Sequence, residues 1–188
     1  VVVVATSTNT HHKVIMRVFG SGRPQLILCE KPLAYELIQA EGIVNICEQN
    51  NCRLYVNYCR QSDPGIEEIK DRLKDGRIHT PIKGVVWYSK GLFNSGSHFL
   101  ILFSDLLGEI GDVRVVSKGR LWRDIDPEPD LDVTFSRGRF YFISAREEDF
   151  FHNEFEIISA SGRVRYESGG AKILWQGTEE DKIIGGYT

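Results

Sequence analysis

The stretch Leu26-Ile27-Leu28-Cys29-Glu30-Lys31-Pro32 decides the fold. A short apolar run closed by charged residues and a proline reads as a buried strand, Gln25–Cys29, that ends on a loop. A run without alternation suits a strand covered on both faces, as in a parallel sheet. Ligands of such sheets bind beyond the carboxyl ends of the strands, which is where Glu30-Lys31-Pro32 falls. A lysine placed there between an acid and a proline reads as an active-site lysine.

Working outward, Val1–Ala5 is an unbroken apolar, mostly β-branched run and reads as another buried strand. Such a strand wants neighbours on both sides, so a segment preceding Val1 is expected. Between the two strands, Asn9 or Thr10 caps a helix whose apolar face is Val14, Ile15, Val18 and Phe19, ending at Gly20 or Gly22. After the lysine, a helix is expected from Ala34 to Gln49, with Leu37, Ala40, Val44 and Cys47 as its buried stripe. Arg53–Val56 reads as a third strand. The order β-α-β-α-β with short links predicts a parallel doubly wound sheet. Thr6-Ser7-Thr8, Lys31 and Asn57-Tyr58 then stand at three successive strand ends and face one crevice.

Ser62-Asp63-Pro64 starts a further helix with Ile66, Ile69 and Leu73 on one face, and Gly76 closes it. From Pro81 onward the pattern is mostly β. Ile82–Tyr88, Asp112–Lys118, Leu131–Phe135, Arg139–Ala145, Glu154–Ser159 and Arg163–Tyr166 read as strands, and His98–Leu107 as an apolar helix. Gly138 and Ser161-Gly162 mark hairpin turns, and Asp124–Asp132, with Pro127 and Pro129, reads as a loop. The expected fold class is α/β. Residues 1–60 supply a partial doubly wound sheet, and residues 61–188 an α+β domain with a large, mostly antiparallel open sheet.

A net charge of −3 gives no support for nucleic acid or an anionic membrane as a partner. Cys29, Cys47, Cys52 and Cys59 form no C-x-x-C pair, and the histidines lack zinc-ligand spacing, so no metal is expected. Reduced thiols in a cytoplasmic protein are the simplest reading.

A second constellation is Gly91-Leu92-Phe93-Asn94-Ser95-Gly96-Ser97-His98. A glycine-bearing loop here delivers a histidine to the start of an apolar helix. Imidazole titrates near neutrality and can move a substrate proton, and a helix N-terminus favours its neutral form.

Several ordered motifs together resemble the glucose-fructose oxidoreductase / inositol dehydrogenase / MocA (Gfo/Idh/MocA) family of NAD(P)-dependent oxidoreductases. They are Ala5-Thr6-Ser7-Thr8-Asn9-Thr10-His11, Cys29-Glu30-Lys31-Pro32-Leu33-Ala34, Asn57-Tyr58-Cys59-Arg60 with Asp63-Pro64, Asp75-Gly76-Arg77-Ile78, and Gly96-Ser97-His98 through Leu106-Leu107-Gly108-Glu109. The likeness is close over the first three-fifths of the chain and architectural beyond. It implies that residues 1–60 are the remainder of a Rossmann domain and that residues 61–188 bind substrate and dimerise. It implies NAD or NADP along Thr6, Ser7, Thr8, His11, Glu30, Lys31 and Asn57. Lys31, Arg60, Asn94 and His98 would bind substrate, with Lys31 and His98 catalytic. A cis Lys31-Pro32 bond is also implied.

The implied reaction passes a hydride between the nicotinamide and a sugar, nucleotide sugar or cyclic polyol. The alternative is a catalytically silent sugar- or nucleotide-binding protein on the same scaffold. A homodimer is implied through the open sheet face, with Trp87, Trp122, Tyr141 and Phe155 as candidate exposed aromatics. Where many relatives carry an aspartate four residues before the histidine and another three after it, this chain has Asn94 and Ile101. Its Gly20-Ser21-Gly22 follows a helix and precedes a strand, the reverse of a dinucleotide loop, and Gln25 stands in place of the third glycine. The phosphate loop is therefore expected upstream of Val1, and little NAD affinity is expected of these 188 residues alone.

Overall fold

A computed structural model describes residues 1–179 and Ile183. The chain divides into two compact units, Val1–Cys59 and Arg60–Thr188. Among the described residues no helix is long and apolar enough to cross a membrane.

The first unit runs β1 (Val2–Val4), α1 (His11–Ser21), β2 (Leu26–Glu30), α2 (Leu37–Gln49) and β3 (Arg53–Asn57), with a 3-10 turn at Thr8–Thr10. Its strands form a parallel sheet in the order β1-β2-β3. In β2, Ile27 and Cys29 are buried, and they join Val4, Ile15, Phe19, Ile43, Cys47 and Cys52 in one core. Ile15 and Phe19 lie four residues apart, on one helical face. Burial in this core pushes the Cys29 and Cys47 thiols up to about 11, so both stay protonated at neutral pH. All four cysteines are free.

β1 pairs with β2, and Val4 is buried in the core. One expectation changes here. α2 starts at Leu37 rather than Ala34, and its buried residues are Ile43 and Cys47, whereas Leu37 is 74% exposed. The helix carries apolar residues on overlapping stripes, so periodicity alone does not choose between them. The core chooses: Ile43 and Cys47 pack with Ile15, Phe19 and Ile27, while Gly42 lies against the His12 ring of α1, where an added Cβ would come within 3.2 Å of Nε2.

The second unit contains α3 (Pro64–Lys74), β4 (Ile82–Tyr88), a π-helical turn at Leu92–Gly96, α4 (Ser97–Leu107) and β5 (Ile110–Ser117). It continues with β6 (Leu121–Trp122), β7 (Asp126–Pro127), β8 (Asp130–Phe135), β9 (Gly138–Ser144), β10 (Asn153–Ser159), β11 (Gly162–Glu167) and β12 (Lys172–Gln176). Asp63 caps α3 by accepting the Gly65 N–H, and Pro64 occupies the first helical position, where no donor is needed. Seven strands form one sheet in the order β12-β11-β10-β4-β9-β8-β5, with β6 and β7 paired apart from it. β4 and β9 are parallel and the other pairs in the large sheet are antiparallel.

Strict alternation in β4 turns Ile82, Val86 and Tyr88 toward the helices and Lys83 and Trp87 away. Ile66, Ile69 and Leu73 of α3 and Phe99, Leu102, Phe103 and Leu106 of α4 complete the core. Phe103 stacks on Phe140, and Phe155 on Tyr166, with centroids 3.9 and 4.6 Å apart. Gly84 is required by this packing: a Cβ there would lie 2.2 Å from Phe140 Cε1 and 2.5 Å from Glu156 O.

Phe155 is thus a core residue rather than an exposed aromatic of the open face, because Glu154 and Glu156 take the outward positions of β10. Trp122 lies in the β6–β7 pair, outside the seven-stranded sheet. The stretch expected as a loop, Asp124–Asp132, holds β7 and the start of β8, and β12 adds a strand beyond those expected.

On β8, Asp132 is 3% exposed and paired with two arginines. Arg139 donates to both its oxygens, at 2.7 and 2.5 Å, and Arg114 donates at 2.8 Å. The Arg139 bond, and after it that of Arg114, outweighs desolvation and holds the carboxyl at about 2. A carboxyl lowered in the folded state contributes stability above its unfolded value, and that contribution is lost as pH falls through the folded one. Asp132→Asn is therefore expected to lower the urea midpoint by a constant amount from pH 7 down to about 4, near the unfolded aspartate value. The gap to wild type should then close toward about pH 2. An equal gap at pH 7 and pH 2.5 would contradict this account.

Candidate active site

Three adjacent strand ends of the first unit carry the expected residues. Thr6 and Ser7 follow β1 and are exposed, and Thr8 is half-buried. Thr10 fastens this turn: its Oγ1 lies 2.8 Å from Thr6 Oγ1 and donates to Ser7 O at 2.7 Å. At the ends of β2 and β3, Glu30 and Asn57 are register partners, and Asn57 Nδ2 donates to Glu30 Oε1 at 2.7 Å. Half-buried Lys31 is the next residue after Glu30, and the Lys31–Pro32 bond is cis, as is Thr80–Pro81.

His11 differs from its expected place along a cofactor. It is fully buried, with Nε2 2.9 Å from Thr6 O and Nδ1 3.2 Å from both Pro32 O and Leu33 O. Its ring ties the end of β1 to the loop after Lys31, so any effect on a ligand passes through that backbone. Thr10 was not among the expected residues. The signal for it was a hydroxyl one helical turn beyond Thr6.

In the second unit, Arg60 is committed internally. Its Nη1 donates to Tyr166 Oη and to Gly169 O, both at 2.8 Å, and its guanidinium lies over the Phe99 ring. This does not match a residue reserved for substrate.

Asn94 and His98 lie on the π-turn and α4. His98 is 9% exposed. Gly96 has helical backbone angles, so π-turn and α-helix run on without a break. His98 is therefore inside a helical run that begins at Leu92, not at an N-terminus, and the dipole argument does not apply to it.

The N–H groups at the true start of this run meet two buried carboxylates. Phe93 N donates to Asp126 Oδ1 at 2.9 Å and Asn94 N to Asp126 Oδ2 at 2.8 Å. Lys90 N and Gly91 N donate to Glu128 Oε1 at 3.0 and 3.2 Å. Burial pushes the Asp126 carboxyl up, against the pull of the Phe93 and Asn94 N–H groups. Asp126 and Glu128 were missed by sequence reasoning. Acids interleaved with Pro127 and Pro129 read as a solvated loop, and the backbone N–H groups they bind lie more than thirty residues away in sequence.

Residues 1–58 match the model of the oxidoreductase family with an NAD-binding Rossmann fold. A myo-inositol dehydrogenase of Streptomyces leeuwenhoekii is 32% identical over 75 residues, which is 40% of this chain and 22% of that protein. The rhizopine catabolism protein MocA of Rhizobium meliloti is 29% identical over 77 residues, 41% of this chain and 24% of the relative. Among solved structures, the WlbA dehydrogenase of Bordetella pertussis, in complex with NADH and UDP-GlcNAcA, aligns with a TM-score of 0.76 at 17% identity. It covers 96% of this chain, and this chain covers 59% of it. An NAD-binding oxidoreductase of Klebsiella pneumoniae aligns over 100% of this chain and 59% of its own, with a TM-score of 0.79 and 17% identity. At such identities the likeness is one of fold. The chain spans about three-fifths of the length of these two solved relatives.

Proposed function

We propose, from the match of residues 1–58 to the model of the Gfo/Idh/MocA oxidoreductase family, that the protein takes part in nicotinamide-dependent oxidation or reduction of a sugar, nucleotide sugar or cyclic polyol. The observation that carries this reading is the set of polar groups at three neighbouring carboxyl ends of a parallel sheet: Thr6 to Thr8, Glu30 with Lys31, and Asn57. Hydroxyls, an amide and an ammonium at such ends fit the ribose and nicotinamide end of a dinucleotide, either NAD or NADP. When bound, the cofactor supplies the hydride chemistry.

The residues of the chain bind, orient and move the proton. Lys31 holds the reacting substrate oxygen and stabilises the negative charge that develops on it. His98 takes the hydroxyl proton in oxidation and returns it in reduction. Asn94 supplies hydrogen bonds to a substrate hydroxyl but cannot accept a proton as a carboxylate would. That difference favours a second reading, a silent sugar- or nucleotide-binding protein on the same fold.

The outward face of the seven-stranded sheet, where Trp87 is 39% exposed, is the surface through which we expect a homodimer. Four free cysteines suit a cytoplasmic protein.

The test is to titrate NAD(H) and NADP(H) into the protein expressed from its complete reading frame, then screen sugars, nucleotide sugars and inositols for cofactor turnover. Binding with turnover supports the enzyme, and binding without turnover across the panel supports the silent binder. Failure to bind either cofactor rejects the leading reading. Sedimentation of the same preparation at micromolar concentration should give a dimer, and a monomer would reject that part.

A further inference from the structure

Asp126 and Glu128 are 1% and 2% exposed, and the proposed chemistry gives neither a role. A buried carboxylate is costly unless it is fully hydrogen-bonded. The first N–H groups of a helical run, in turn, have no partner within the helix. The two needs are met together. Asp126 takes the N–H groups of Phe93 and Asn94, one on each oxygen. Glu128 takes those of Lys90 and Gly91 on Oε1 and accepts Arg120 Nε at 2.7 Å on Oε2. Arg120 is itself anchored by two bonds to Glu148, at 3.0 and 2.7 Å. Tyr88 Oη donates to Pro129 O at 2.5 Å, pinning the acid-bearing segment to the end of β4. Asn94 is gripped twice, because its Nδ2 also donates to Lys90 O at 3.1 Å.

We infer that Asp126 and Glu128 are positioning residues: by binding four backbone N–H groups they lock the turn from Lys90 to Gly96 in one geometry and so set where Asn94 and His98 stand. The turn cannot open without stripping both N–H partners from buried Asp126 and leaving Glu128 Oε1 without its two, so it acts as a rigid mount and not as a lid. The lock follows from the hydrogen bonds alone. Its bearing on substrate rests on the function proposed above.

The two parts separate in one set of measurements on the full chain labelled with 15N. In Asp126→Ala the Phe93 and Asn94 amides should exchange at least about tenfold faster, the loss of roughly one charge-assisted hydrogen bond each. The Val86 and Leu102 amides should stay within about twofold, as expected of independent sites. The His98 ring and Asn94 side-chain signals should shift. Asp126→Asn, which keeps one acceptor oxygen, should restore part of the protection. Glu128→Gln should act in the same way on the Lys90 and Gly91 amides, and it serves if Asp126→Ala does not fold. Unchanged exchange at these amides overturns the lock. Faster exchange with unmoved His98 and Asn94 signals overturns the positioning role. In turnover assays kcat should fall about tenfold or more with the cofactor KM unmoved, and an unaffected kcat would count against positioning. A wild-type protein without turnover but with the expected exchange pattern rejects the proposed function and leaves the lock standing.

Discussion

Lys31→Ala is expected to lower turnover of a sugar or polyol substrate by about 10²- to 10⁴-fold, the usual range for removing a proton-handling or charge-stabilising group. Dinucleotide binding should change far less, because Thr6, Ser7 and the Glu30–Asn57 pair remain. The loss belongs mainly in kcat if Lys31 acts on charge that develops during hydride transfer, since an interaction made only in the transition state does not appear in KM. Lys31→Arg keeps a cation but replaces a compact ammonium with a planar fork, and it should recover only part of the rate. Steady-state kinetics with a saturating cofactor reads all of this. A Lys31→Ala enzyme that keeps more than a tenth of wild-type kcat would remove Lys31 from the mechanism, leaving the carboxyl-end site without its central residue.

Gly91→Ala carries the largest expected effect on stability. Gly91 has φ of +84°, in the region that residues with a side chain rarely adopt. An added Cβ would lie 2.2 Å from both Cγ and Oδ2 of Asp126. That carboxylate is buried and bonded to Phe93 N and Asn94 N, so it has no flexible end to move aside. Backbone strain and overpacking together should cost about 2–4 kcal/mol, a fall in Tm of about 6–15 °C. Gly177→Ala is the control, since nothing lies within 4 Å of a Cβ there. Asp126→Ala should relieve part of the clash, so the double variant should lose less than the sum of the two single ones. Equal melting temperatures for Gly91→Ala and Gly177→Ala would refute the close approach.

Much of this was written locally. The run Leu26–Cys29 followed by Glu30-Lys31-Pro32 marked a strand with polar residues at its end, and β2 lies there. Ile82–Tyr88 marked β4 to the residue, and Asp63-Pro64 marked the start of α3. These features depend on side-chain period, caps and proline, which act within a few residues. Tertiary structure decided the rest. Periodicity offered more than one apolar stripe on α2, and packing into the core with Ile15, Phe19 and Ile27 selected Ile43 and Cys47. His11 looked like a ligand-facing residue until three backbone carbonyls closed around it. The mount beneath Asn94 and His98 joins amides at 90–94 to carboxylates at 126 and 128. The sequence by itself determined which groups stand at the strand ends, because strand and helix signals are short-range. Only the folded chain decided which acids hold the turn that carries His98, because a buried carboxylate takes its partners from whatever unpaired N–H groups packing brings within reach.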